Sequence, residues 1–202
     1  MEVDFLFQLD IDIFRAINGL GRQFPFLNPA AVIAAEYMMY LLALAMLIYW
    51  FTRSMQHRMM VIQAGLAFIM AEIIGKTMGL LYEHYQPFAV LPNVNKLIDR
   101  SIDNSFPSDH TILFFSVAFS FWLVRKKEGW LWLLLAICGA ISRVWVGVHY
   151  PIDIIVGALI GIGSAWFMYW LAPKVGIIGR SLALYEKMEQ RILPTRHKSG
   201  SM

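Results

Sequence analysis

Two short stretches set groups that move protons and bind anions directly against apolar runs. NSFPSDHTILFF, residues 104–115, presents Ser108, Asp109 and His110. SRVWVGVHYPID, residues 142–153, presents Arg143, His149 and Asp153. In the second stretch Tyr150-Pro151 marks a helix start, and Asp153 follows His149 by four residues. Its carboxylate can therefore reach back to one ring nitrogen and fix the tautomer in which the other is presented. Arg143 adds a fork of donors suited to phosphate oxygens. In the first stretch Pro107 suits a helix start, and Ser108 and Asp109 are capping types. A helix N-terminus offers free N–H groups and partial positive charge, a cradle for phosphate, and His110 in the first turn would face what the cradle holds. The bland account is an N-cap with a satisfied histidine, a capping pair of His149 and Asp153, and an arginine snorkelling to the interface.

Other polar residues join this set less directly. Lys76 could hold an anion, or pair with Glu72 four residues earlier. Glu36 reaches a similar depth and could pair with Lys76 or line the same pocket. His84, His110, His149 and Asp153 include enough nitrogen and oxygen donors for zinc, but there is no His-Glu-x-x-His pattern and no run of carboxylates. Cationic and donor groups beside two histidines suit an anion better than a metal.

These residues belong to a very apolar chain. Of 202 residues 58% are hydrophobic and 15% charged, with a mean hydropathy of +0.57; soluble domains sit near about 45–50% and 25%. A membrane-spanning helix needs about 20 apolar residues. Five such windows are read at roughly 30–51, 59–82, 109–125, 130–148 and 152–172, giving an all-α integral membrane protein. Residues 1–27 form an amphipathic N-terminal segment at the interface, 28–172 the transmembrane domain, and 173–202 a second amphipathic helix with a disordered tail. Glu2, Asp4, Asp10 and Asp12 argue against a cleavable signal peptide. The net charge of +3 shows no basic stripe for nucleic acid, and the single Cys138 permits no intramolecular disulfide.

Basic residues set the orientation. Arg53 and Arg58, then Arg125, Lys126 and Lys127, and six more after position 172 lie on one side, which should be cytoplasmic. The N-terminus and the 83–108 loop then lie outside. Lys76, the 108–110 stretch, Arg143, His149 and Asp153 all fall at outer helix ends, at one face and similar depth, as one site would require. Charge at membrane depth is costly and is a functional candidate by default.

The motifs resemble the type 2 phosphatidic acid phosphatase superfamily. SRVWVGVHYPID fits its Ser-Arg-(five residues)-His-(three)-Asp signature and PSDH its Pro-Ser-x-His signature, within roughly residues 60–172. SFPSDHT, Asp109 where many members carry glycine, QPF at 86–88 and the amphipathic N-terminus look like the bacitracin-resistance branch, bacterial undecaprenyl-diphosphate phosphatases. One departure stands out. The superfamily's first motif runs from a lysine over six residues to Arg-Pro, whereas here Gln86 precedes Pro87 and Lys76 lies ten positions earlier. A guanidinium contact is missing, or is replaced by the Gln86 amide or His84.

The resemblance implies a membrane helix bundle that needs neither metal nor cofactor. His149 would be the nucleophile, Asp153 its stabiliser, and His110 the general acid and then base. Lys76, Arg143, Ser108 and backbone N–H groups near Asp109 would hold the phosphoryl oxygens; Asp109 would cap the helix or touch substrate. The implied substrate is a polyprenyl diphosphate cleaved at the outer face of a bacterial cytoplasmic membrane. That would recycle the cell-wall carrier and remove the form bacitracin binds. Competing expectations are a phosphatidylglycerophosphate, phosphatidate or diacylglycerol-pyrophosphate phosphatase, lipid phosphotransfer, and, from another class, a small transporter or permease subunit. Tyr82, His84, Tyr85 and Phe88 either shape a lipid entrance or anchor the interface.

Overall fold

A computed structural model describes residues 2–192; the tail read as disordered lies outside the described residues. The described residues fold into α1 (Glu2–Gln23), α2 (Asn28–Phe51), α3 (Met55–Leu81), a single turn α4 (Pro87–Val90), α5 (Asp109–Val124), α6 (Lys126–Trp145), α7 (Pro151–Leu171) and α8 (Gly176–Ile192). Short 3-10 turns precede α2 and follow α7. The described residues contain no strand; one isolated bridge joins Tyr85 and Asn104.

The helices α2, α3, α6 and α7 are long and apolar enough to cross a membrane, and α5 is a shorter apolar helix. The first, second, third and fifth spans read from the sequence match these helices within a few residues. The fourth begins earlier than expected. Lys126 and Lys127 belong to the first turn of α6 and not to a loop, because α5 and α6 share Arg125 as their junction. Gly129 makes this tight corner possible: a Cβ there would lie 2.2 Å from the Trp122 Cα.

α5 is the central element, touching α2, α3, α6 and α7. Its 16 residues span about 24 Å, less than the roughly 30 Å hydrocarbon layer, so one end must stop inside. Its neighbours approach through small residues. On α3, Ala64, Ala67, Ala71 and Gly75 form a buried stripe. On α7, Gly157 faces the Ser108 carbonyl and Gly161 the backbone of Ile112 and Ser116, the close contact that small residues four apart allow between membrane helices. A Cβ on Gly161 would sit 2.9 Å from both backbone atoms. Gly161→Leu is therefore expected to destabilise the fold by about 1–3 kcal/mol, measured as a lower thermal midpoint in detergent.

α1 lies across the end of the bundle where α5 and α7 begin. Phe14 and Ile11 pack on Val144 and Tyr150, and Asn18 donates to the Trp145 and Asn95 carbonyls at 2.8 and 3.0 Å. Phe5, Leu6, Leu9 and Ile13 face outward, giving α1 a second apolar side of the kind that seats at an interface. At the opposite end α8 is tied to α3 by the buried Arg58, which forms a bidentate pair with Glu189 and lies 4.9 Å over the Tyr185 ring.

Candidate active site

The spacing of SRVWVGVHYPID follows from the connection it builds. Arg143 is in the last turn of α6. Val146 closes the helix and Gly147 follows with φ +87, the left-handed residue that commonly ends a helix. Any Cβ at 147 would also lie 2.9 Å from the Asn95 carbonyl. His149 comes next, then Tyr150 as N-cap, Pro151 at the first helical position and Asp153 in the first turn of α7. Helix, glycine turn and helix thus bring Arg143, His149 and Asp153 together within eleven residues.

Asp153 is fully buried, and a buried carboxylate must be paired. Its Oδ2 accepts from the Tyr150 N–H at 2.9 Å and lies 3.5 Å from His149 Nδ1. Its Oδ1 lies 3.3 Å from His84 Nδ1. His149 Nδ1 is also 3.0 Å from the Ser105 carbonyl. A carbonyl only accepts, so Nδ1 carries the proton and Nε2 keeps the lone pair. Burial lowers the His149 pKa below its usual 6.5, favouring that neutral ring at pH 7.

A polar cavity of about 160 Å³ opens beside this group, lined by His149, His110, Arg143, Arg100, Asp109 and Gln86 among others. His110 reaches it from the first turn of α5, edge-on to Phe114. Arg143 is 2% exposed and donates from Nη1 to the Ala35 carbonyl at 3.0 Å. Its Nε is buried with no partner. Glu36 Oε1 is 3.7 Å from Arg143 Nη1 and 3.1 Å from Arg100 Nη2, so it bridges two guanidinium groups. A larger cavity, about 650 Å³, lies at the far end near α8 and has an almost wholly apolar lining, with Ser181, Trp50 and Tyr185 its few polar side chains.

The structure thus brings His110, Arg143, His149, Asp109 and Gln86 around one space, with Asp153 behind His149. Three expected residues sit elsewhere. Lys76 does not line the cavity: it is 71% exposed, 3.9 Å from Glu72. The reason is helical phase, since Gly75 lies on the buried stripe against Ile112 and Lys76 falls just off it. His84 is not a cavity wall but a support behind Asp153, stacked on Tyr150 at 4.5 Å. Ser108 occupies the N-cap of α5 without a side-chain capping bond. Its Oγ is buried and unpartnered, and it does not itself line the cavity. Pro107 precedes the cap and is not inside the helix. Among the described residues no group of three or more His, Cys, Asp or Glu side chains could hold a metal ion.

Arg100 and Asn104 are the residues the sequence reading missed. Arg100 sits in an irregular segment with no periodic signal. Asn104 opens the first motif and ties it down: its amide donates to the Gly79 and Tyr82 carbonyls, and its Oδ1 accepts from the His84 and Phe106 N–H groups. Gln86 does similar work, accepting from the Asp103 N–H at 2.9 Å and donating to the Ser101 carbonyl at 3.4 Å.

Fold and cavity together define a multi-pass helical membrane protein with an anion-sized polar site at one end of its bundle. The chain belongs to the PAP2 superfamily, whose family model matches residues 60–177. Across 96% of its length it is 59% identical to a Bacillus licheniformis protein named bacitracin transport permease protein BcrC, covering 95% of that protein. It is 31% identical to undecaprenyl-diphosphatase BcrC of Bacillus subtilis (strain 168), over 91% of this chain and 95% of that one. The crystal structure of Aquifex aeolicus LpxE superposes with a TM-score of 0.62 at 25% identity, covering 80% of this chain and 94% of that one.

Proposed function

We propose that the protein is an undecaprenyl-diphosphate phosphatase working through a phosphohistidine. The observation that carries this reading is the convergence of His149, backed by Asp153, with His110 and Arg143 on one cavity. His149 Nε2 attacks the terminal phosphorus, the bond to the bridging oxygen breaks, and His110 delivers a proton to the departing undecaprenyl phosphate. Water then attacks the phosphohistidine, His110 takes its proton, and the P–N bond breaks to release orthophosphate. Asp153 stabilises the imidazolium that forms, and Arg143 with the first-turn N–H groups of α5 stabilises charge on the phosphoryl oxygens. The identity shared with undecaprenyl-diphosphatase BcrC supports the choice of lipid. The distribution of basic residues supports an outward-facing site, with α8 on the cytoplasmic side.

The test is phosphate release from undecaprenyl diphosphate by purified protein in detergent with excess EDTA. Release that survives chelation is expected; release abolished by it would overturn the metal-free mechanism. Turnover of phosphatidate or phosphatidylglycerophosphate instead would keep the mechanism and displace the substrate. The name of the 59% identical relative favours a second reading, transport of bacitracin itself. Bacitracin flux in proteoliposomes, with no phosphate release, would establish that reading; phosphate release without flux is expected.

A further inference from the structure

We infer that Arg100 binds the inner phosphate of the substrate, the one that stays on the lipid, and so selects diphosphate over monophosphate headgroups. This rests on the phosphatase reading and adds to it a residue outside the family signatures.

The cavity has two guanidinium groups at different depths. Arg143 is almost fully buried beside His149, while the Arg100 side chain is 39% exposed at the mouth. A diphosphate presents its two phosphates in the same order. With the terminal group at His149 and Arg143, the inner group falls toward the opening, where a monophosphate lipid would offer only an ester oxygen and glycerol. Arginine suits this position because its planar fork matches phosphate oxygens.

Arg100 is also held in place. Its own carbonyl accepts from Lys96 Nζ at 3.2 Å, and the next carbonyl, of Ser101, accepts from Gln86. Two residues earlier the buried Ile98 packs with Ala35, Val146 and Val148. The side chain also meets Glu36, at 3.1 Å. Glu36 offsets part of the repulsion between the two guanidinium groups when the cavity holds no anion. Glu36 itself does not line the cavity; Asp103 and Asp109 are the acidic side chains on its wall, and their charge opposes any anion that the arginines do not hold.

The alternative is that Arg100 only ties its loop to α2 through Glu36. Competitive inhibition by inorganic diphosphate and by orthophosphate separates the two, whichever lipid the protein turns over. Arg100→Gln is expected to weaken diphosphate inhibition about tenfold to a hundredfold and orthophosphate inhibition less than about threefold, with Arg100→Lys recovering part of the loss. Glu36→Gln breaks the same ion pair but keeps the guanidinium, and should keep the preference for diphosphate. Equal losses for both anions in Arg100→Gln, or a Glu36→Gln variant that loses the preference in the same way, would overturn the assignment. If the wild type fails on undecaprenyl diphosphate but turns over another lipid diphosphate with these inhibition constants as expected, the choice of polyprenyl chain falls and the role of Arg100 stands; turnover of monophosphate lipids alone would overturn both.

Discussion

His149→Ala is expected to reduce phosphate release on the order of 10⁶-fold, the scale of removing a covalent nucleophile from a hydrolase. The ring is only 12% exposed and sits in a connection whose geometry is fixed by Gly147, Tyr150 and Pro151 rather than by the imidazole. The variant should therefore fold, with a thermal midpoint near that of the wild type. No phosphohistidine should form in it. A second readout is pH. The attacking form is the neutral ring, and burial lowers its pKa below 6.5. Since a lowered pKa extends the neutral form toward acid, the loss of kcat/KM caused by protonating this ring should fall below pH 6.5. Residual activity in His149→Ala above about one part in a thousand would place the nucleophile elsewhere. Asp153 makes a poorer test of the same idea, because its carboxylate also caps α7 and meets His84, so its removal mixes catalysis with folding.

What the sequence made legible was the chemistry that rides on regular structure. The spacing from Arg143 to Asp153 is the spacing of a helix end, a glycine turn and a helix start, and hydropathy alone found the helices that deliver the 108–110 stretch to the same face. Even the misplacement of Lys76 was readable: Ala64, Ala67, Ala71 and Gly75 form one small-residue stripe, and Lys76 is one residue past it. What could not be read was the path of residues 82–108. That path is set by single side chains bonding to distant backbone, Asn104 to α3 and Gln86 to the Arg100 region, and such bonds leave no period in the sequence. Arg100 and the second histidine behind Asp153 both depend on that path. The departure at Gln86, where the superfamily motif has arginine, was visible; the guanidinium brought to the same cavity from fourteen residues later was not.

His110→Ala should behave differently from His149→Ala, and the difference depends on the leaving group. When the terminal phosphate of a diphosphate departs, the leaving oxygen belongs to a phosphate ester whose pKa is about 6. It needs little help from an acid at pH 7. The hydrolysis of the phosphohistidine needs more, because water, with a pKa near 15.7, must lose a proton as it attacks. General acid–base catalysis contributes about 10²–10⁴-fold, so steady-state release should fall by that amount while the first step remains comparatively fast. The expected signature is a burst of one equivalent of undecaprenyl phosphate and an accumulating, acid-labile phosphoprotein that His149→Ala does not form. A glycerolipid monophosphate changes the balance, since its alkoxide leaving group requires the proton from His110 already in the first step. The same variant should then lose both burst and phosphoprotein on phosphatidate. Rapid-quench measurement with labelled lipid distinguishes the cases. A His110→Ala variant with no burst on either lipid would mean that the ring acts mainly in forming the phosphohistidine. A variant with undiminished steady-state turnover would remove His110 from the mechanism and leave its place on the cavity wall to packing against Phe114.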